Sequence, residues 1–349
     1  MNRVLLSLLL LAVLLRALLP SAIRYGLNWY LGSHLESYQG HIADFDLTLY
    51  RGAYQIQGLR IWKKSADEKL PLIQARNIDL SLAWRALFQG RLLGDLAVSG
   101  LRLRFVDSES TKKKQFGTEE KNWNKVFSSL IPIEIESLKI SDGEVHFLNR
   151  DYRVPVDLSA DRLEVEATNL RNTEKKGVLL PSHGLLKGRL QKDAPFVVKG
   201  RFNLLETPVA LSLDAEIKDF TLARLNDFFL VYGPFTFAKG SMSLFSEVAT
   251  REGKIKGYIK PFFKDVKMVA NKEHFISTKH ELVEFLMGTS NVILRNSNKD
   301  TAARIEFEGP LKAPKINTWD AFWSALKNAF GSPLKPTIEN KIDIKSVPR

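Results

Sequence analysis

YQIQGLRI, residues 54–61, alternates apolar and polar positions up to a glycine and then resumes the alternation one place out of phase. A strand puts residues i and i+2 on one face, so Tyr54 and Ile56 share a side while Leu59 and Ile61 should stand opposite. A bulge near Gly58 removes the conflict. One extra residue there bends the strand, raises its twist and returns Leu59 and Ile61 to the face of Tyr54 and Ile56. The stretch then describes a curved strand with one unbroken apolar side.

The same octad recurs at 96–103 (LAVSGLRL) and 133–140 (IEIESLKI), each time with a basic residue in the seventh slot: Arg60, Arg102 and Lys139. Looser copies stand at 73–80 (IQARNIDL), 215–222 (AEIKDFTL) and 261–268 (PFFKDVKM). Their unequal spacing argues against a strict solenoid and for a sheet extended by similar units with variable insertions. Further β-rich runs such as FDLTLY, VDLSADRLEVEA, PFVVKGRFNL, VALSLDAEI and GKIKGYIKPF fill residues 42 to 269, punctuated by turn signals at Ser141-Asp142-Gly143 and Arg251-Glu252-Gly253. The body is therefore expected to be an antiparallel β structure. Helical spacing is confined to three segments. Trp123, Val126, Phe127 and Leu130 form a stripe within 119–130, a weaker one covers 279–286, and Trp319, Phe322, Trp323, Leu326 and Phe330 form a strong one within 318–330.

The N-terminus, MNRVLLSLLLLAVLLRALLPSAIRYGLNWYL, is apolar from Val4 to Ile23 with only Arg16 charged. Twenty helical residues extend about 30 Å, one hydrocarbon thickness, so the segment is expected to be a single transmembrane signal-anchor. Tyr25, Trp29 and Tyr30 would form an aromatic belt at its exit. A cleaved secretory signal is the competing reading. Both export the rest of the chain.

Composition narrows the function classes. The chain has 349 residues, 44% of them hydrophobic, and a net charge of +12, enough for a sizeable core in two domains or one long one. It has no cysteine, which removes disulfides, thiolate metal sites and cysteine nucleophiles together. Lys112, Lys113 and Lys114, with Lys175 and Lys176, lie in polar stretches that read as solvated loops, and no basic-aromatic cluster points to nucleic acid. GxSxG, GxxxxGK[ST], HExxH and GxGxxG motifs are missing, and His274 with His280 lack a third ligand at metal spacing. Close carboxylates such as Glu134 with Glu136 fit the solvated side of a strand better than an acid-base pair. No enzyme activity, cofactor or metal is expected.

Four stretches resemble the AsmA-like envelope proteins, in the branch known mainly as a domain of unknown function: 40–63 (GHIADFDLTLYRGAYQIQGLRIWK), 135–149 (IESLKISDGEVHFLN), the strand-rich 215–268, and 316–336 (INTWDAFWSALKNAFGSPLKP). The resemblance implies a mainly β fold with added helices: an anchor over 1–31, a body over 32–316 with a helical insertion near 119–130, and a C-terminal amphipathic helix and tail over 317–349. In that body a long, curved antiparallel sheet would form an open apolar groove. It implies localisation at a bacterial inner membrane, single-pass, with the body in the periplasm, and lipid binding or lipid transport that supports the outer membrane. The groove-lining candidates are Tyr54, Ile56, Leu59, Ile61, Leu96, Val98, Leu101, Leu103, Ile133, Ile135, Leu138 and Ile140. Arg60, Arg102 and Lys139 are the head-group candidates. Those apolar positions fit the inside of a closed β-sandwich equally well. The expected partners are phospholipid, the inner membrane and other envelope proteins. A scaffold or assembly factor that binds protein partners by its sheet edges, without lipid, is the alternative.

Overall fold

A computed structural model describes residues 3–35, 37–48, 52–65, 69–82, 93–108, 134–170, 178–203, 208–232, 235–270, 301–311 and 335–348. The three stretches of helical spacing, Ile133, His274 and His280 lie outside them. The chain divides into two compact units, Met1–Leu148 and Asn149–Arg349. This boundary falls inside the 32–316 body, and described residues 335–348 are part of the second unit.

Unit 1 contains α1 (Arg3–Ser33), β1 (Tyr38–His41), β2 (Asp44–Thr48), β3 (Ala53–Lys63), β4 (Ile73–Leu82), β5 (Leu93–Ser99), β6 (Arg102–Asp107) and β7 (Glu134–Asn149). β1 and β2 lie end to end along β3. β4 follows, then β5 and β6 end to end, then β7. The expectation of a purely antiparallel sheet is corrected here, because β5 and β7 run parallel. A parallel pair needs a long crossover, and the connection across 108–133 supplies the length.

The phase break at Gly58 is present but is not a bulge with an extra residue. Tyr54 pairs with Leu80 and Ile61 with Ile73, seven residues apart on both strands; towards the edge, Leu47 pairs with Tyr54 and Gly40 with Ile61, again seven apart. No residue is inserted because every neighbouring strand breaks phase on the same line. Gly58 (φ +63°) lies between Ala43 and Arg76, and Gly100 (φ +62°) lies beyond Arg76. Gly100 N–H then donates to Ser141 O at 2.9 Å, beside Asp142 at φ +53°. The sheet creases as a whole. Ser141-Asp142-Gly143, expected to be a turn, is part of this line, and β7 runs straight through it. At Gly100 a Cβ would stand 3.1 Å from the Arg76 guanidinium, which crosses that space to reach Asp142 at 2.7 Å. In the third close octad an extra residue does occur: Gly94 pairs with Ile135 and Asp95 with Ser137, which leaves Glu136 unopposed.

Helix α1 covers the start of this sheet. Ile23, Leu27, Tyr30 and Leu31, spaced i, i+4, i+7 and i+8, pack into the cluster formed by Tyr38, Ile42, Phe45, Ile56, Leu59 and Ile61. Asn28 ties the helix to the gap between β1 and β2: its Nδ2 donates to Ile42 O at 3.1 Å and its Oδ1 accepts from Ile42 N–H at 2.7 Å. Most of the expected span, Val4 to Ile23, lies outside the residues whose side chains are described. Among the described residues no helix is long and apolar enough to cross a membrane. Of the expected aromatic belt, Tyr25 and Trp29 are exposed, 77% and 59%, whereas Tyr30 turns inward.

Unit 2 contains β8 (Val156–Thr168), β9 (Ser182–Leu190), β10 (Ala194–Asn203), β11 (Ala210–Thr221), a 3-10 turn (Leu222–Leu225), α2 (Asn226–Tyr232), β12 (Phe235–Arg251), β13 (Lys254–Ala270), β14 (Thr301–Ala302), β15 (Ile305–Pro310) and a second 3-10 turn (Ile344–Ser346). β8 to β13 form an antiparallel meander, and β14 and β15 both pair with β13. The turn expected at Arg251-Glu252-Gly253 joins β12 to β13, with Glu252 and Gly253 both at positive φ as a tight hairpin requires. Of the looser octads, those at 215–222 and 261–268 carry true bulges in their fifth slot, whereas 73–80 pairs without a slip at Asn77. Asp219 and Asp265 both have φ +50°, and pairing slips by one residue at each. A further copy, LSADRLEV at 158–165, behaves alike at Arg162 (φ +50°).

Candidate functional site

The crease brings most of the groove candidates of unit 1 to one face. Ile56, Leu59, Ile61 and Val98 are buried in a cluster against which Tyr54, Leu96, Leu101, Leu103, Leu138 and Ile140 pack half-buried. Burial therefore falls from β3, which shares its cluster with α1, towards β5, β6 and β7. Ile56, Leu59 and Ile61 are buried in the core of this unit. Ile135 is half-buried opposite Gly94.

The head-group candidates do not edge this surface. Arg60 stands between buried Leu59 and Ile61, and Arg102 and Lys139 alternate with apolar residues in the same way, so all three project from the opposite face. There Arg60 lies over the Trp62 ring, 5.9 Å from its centroid, and Arg102 pairs with Glu144 at 3.0 Å.

Unit 2 carries an apolar face that the octads did not single out. Strand register places Phe196, Val198 and Phe202 of β10, Leu211, Leu213 and Ile217 of β11, Leu244 and Val248 of β12, and Ile255 and Ile259 of β13 on one side. All ten are half-buried. Glycines level this floor. A Cβ on Gly200 would stand 2.5 Å from Leu213 Cδ2, one on Gly188 2.8 Å from Phe196 Cε1, and one on Gly257 2.6 Å from Phe307 Cζ. Large side chains lie down over the bare backbone. The period-2 alternation of VALSLDAEI and GKIKGYIK held this signal, but alternation alone does not distinguish a covered face from an open one.

The other side of the same strands is charged, and the C-terminal segment, residues 335–348, docks on it as a strap. Glu247, 0% exposed, is ringed by donors from the C-terminal segment. Its Oε1 accepts from Tyr258 Oη–H at 2.8 Å, Glu339 N–H at 2.7 Å and Asn340 N–H; its Oε2 accepts from Lys341 and Ile342 N–H, both at 2.8 Å. Asn340 at φ +56° turns these successive amides towards one point, a backbone nest filled by the protein's own carboxylate. Burial pushes the Glu247 pKa up, but the amides of Ile342, Lys341 and Asn340 and the Tyr258 hydroxyl outweigh it and hold the group below the usual glutamate range. Lys260, 1% exposed, pairs with Glu339 at 2.8 Å, and this bond, opposed by desolvation and helped by Arg304, lowers the Glu339 pKa. Buried Ile344 and Val347 fix the end of this segment, the strap over residues 335–348. Between strap and sheet a cleft of about 420 Å³ is lined by Lys199, Asp214, Glu216, Lys218, Pro336, Thr337, Ile338 and Asn340. Desolvation, followed by the nearby Glu247 charge, raises the Asp214 pKa there.

Among the described residues no group of three or more histidines and carboxylates is placed to hold a metal. No protein-family model matches the chain, and no curated protein is significantly similar to it.

Proposed function

We propose that the protein is a membrane-anchored, periplasmic lipid-binding protein of the AsmA-like kind, which takes up phospholipid acyl chains on its apolar sheet faces and helps to transfer phospholipid within the cell envelope. The observation that carries this reading is the floor of unit 2, ten half-buried apolar side chains on one side of strands whose other side carries the charged groups and the strap. Transfer of each methylene from water to such a surface is worth about 0.8 kcal/mol, so a chain is held by area rather than by any one residue. Binding of this kind needs no catalytic group. The apolar run from Val4 to Ile23 supplies the inner-membrane anchor, and Tyr25 and Trp29, exposed just beyond it, suit the head-group layer. The scaffold alternative receives less support at the β2 edge, where Phe45 and Leu47 N–H are already bonded to the Asp44 and Asp46 carboxylates at 2.9 and 2.8 Å.

The test is mass spectrometry of lipid extracted from the full chain in detergent, wild type beside the double variant Leu213→Asp, Val248→Asp. Both proteins keep the same anchor, so the difference reports the floor. Phospholipid retained by the wild type and lost from the folded variant supports the proposal. Equal lipid in both, or none in either, overturns it.

A further inference from the structure

The apolar floor of unit 2 is closed at one end. Around the left-handed residues Asp219, Gly240 and Asp265, the strands bring Phe220, Met242, Phe263, Val266 and Met268 into a cluster with Leu222 and Leu225 of the 3-10 turn and Phe229 of α2. Phe220 and Leu222 are buried in it. This short helical cap is sewn down. Asn226 Nδ2 donates to Phe237 O at 2.9 Å while Phe237 N–H donates to Asn226 Oδ1 at 2.8 Å. Asn149 Nδ2 donates to the Tyr232 hydroxyl at 2.6 Å, Thr221 N–H to Asp193 Oδ2 at 2.8 Å, and Gln191 Nε2 to Arg224 O at 3.2 Å.

We propose that the cap is a built stop, and that an acyl chain on the floor lies with its methyl end against Leu225 and Phe229 and its polar head at the far end of the strands. The floor is broad and uncharged, and the closed corner is lined by aliphatic, Met and Phe side chains. It therefore suits an unbranched apolar chain that carries its polar group at one end, because a head group driven into the corner would lose its water without a partner. Unit 2 then takes lipid one end first and is not a passage open at both ends. This inference rests on the lipid-binding reading.

Two phosphatidylcholine probes test it on the full wild-type chain, one with a photoreactive diazirine at the acyl terminus and one with it beside the ester. Each is supplied in phosphatidylglycerol vesicles, and the labelled peptides are mapped by mass spectrometry. The terminal probe is expected on the peptides holding Ile217 and Leu225 to Phe229, and the ester probe on those holding Leu211, Thr250 and Ile255. Phe229→Ala is expected to shift terminal labelling onto the peptide with Phe263 to Met268. Identical peptides from both probes, or ester-probe labelling at the cap, overturns the stop while leaving lipid binding intact. No labelling of unit 2 by either probe overturns both.

Discussion

Replacing Glu247 by glutamine preserves the shape of the buried side chain and removes its charge, which makes the strap a quantitative test of the fold. Glutamine offers one acceptor oxygen and one NH2 group. Whichever way it turns, two of the strap amides now held by a carboxylate oxygen face a donor. Each buried donor left unsatisfied costs about 1–3 kcal/mol, so the two together weaken strap docking by about 2–6 kcal/mol. Since about 1.4 kcal/mol is a factor of ten, amide exchange at residues 339–342 in the full chain should accelerate by roughly 30- to 20,000-fold. The remainder of unit 2 should keep its protection, because β12 and β13 retain their ladder. Exchange at 339–342 within threefold of wild type would refute the reasoning. The same carboxylate sets a pH limit. Its folded pKa is depressed, so its contribution is fully present above the ordinary glutamate value of 4.5 and is lost as pH falls through the lower folded value. Strap protection should therefore be level from neutrality to about pH 4.5 and collapse only in stronger acid.

Other substitutions separate core, crease and ligand surface. Gly58→Ala forces a side chain into left-handed backbone, which costs about 1–2 kcal/mol, and sets its Cβ 2.8 Å from Ala43 Cβ; a urea titration should show a loss of at least that size, and a loss below about 0.5 kcal/mol would contradict the crease. Asn28→Ala removes both bonds to Ile42 and should destabilise unit 1 by about 1–3 kcal/mol, read as faster proteolysis between α1 and β2, whereas unchanged proteolysis would show that apolar packing alone holds the helix. Ile61→Asp buries a carboxylate at a site 1% exposed and should abolish cooperative unfolding of unit 1. Leu213→Asp, on a half-buried floor, should leave the melting temperature within a few degrees of wild type and lower only lipid retention. Equal thermal damage from these two would place Leu213 in a core.

The octad was legible because it is local. In four copies the residue in the fifth slot turns the backbone so that apolar side chains on either side share a face, and Gly58, Gly100, Asp219 and Asp265 do so at positive φ. Glycine there is free of Cβ strain, and aspartate tolerates the conformation better than most residues. The response of the neighbouring strand was not legible. Whether it turns on the same line, as it does beside Gly58, or fails to, as beside Asp219, depends on residues paired from distant parts of the chain. The Ser141-Asp142-Gly143 signal misled for the same reason, since a left-handed residue closes a hairpin only where the flanking strands are free to pair with each other.

Alternation by itself determined that the protein is mainly β and which side chains share a face, because the period of two is a property of the extended chain. Only the tertiary structure decided what each face meets. Ile61 and Leu213 occupy equivalent alternating positions, yet Ile61 shares a core with α1 while Leu213 lies on an open floor. The division of the chain at Leu148 and the capture of the 335–348 strap by Glu247 are of the same kind. Both depend on contacts between residues far apart in sequence, about ninety positions in the case of the strap, and no local pattern encodes a partner at that distance.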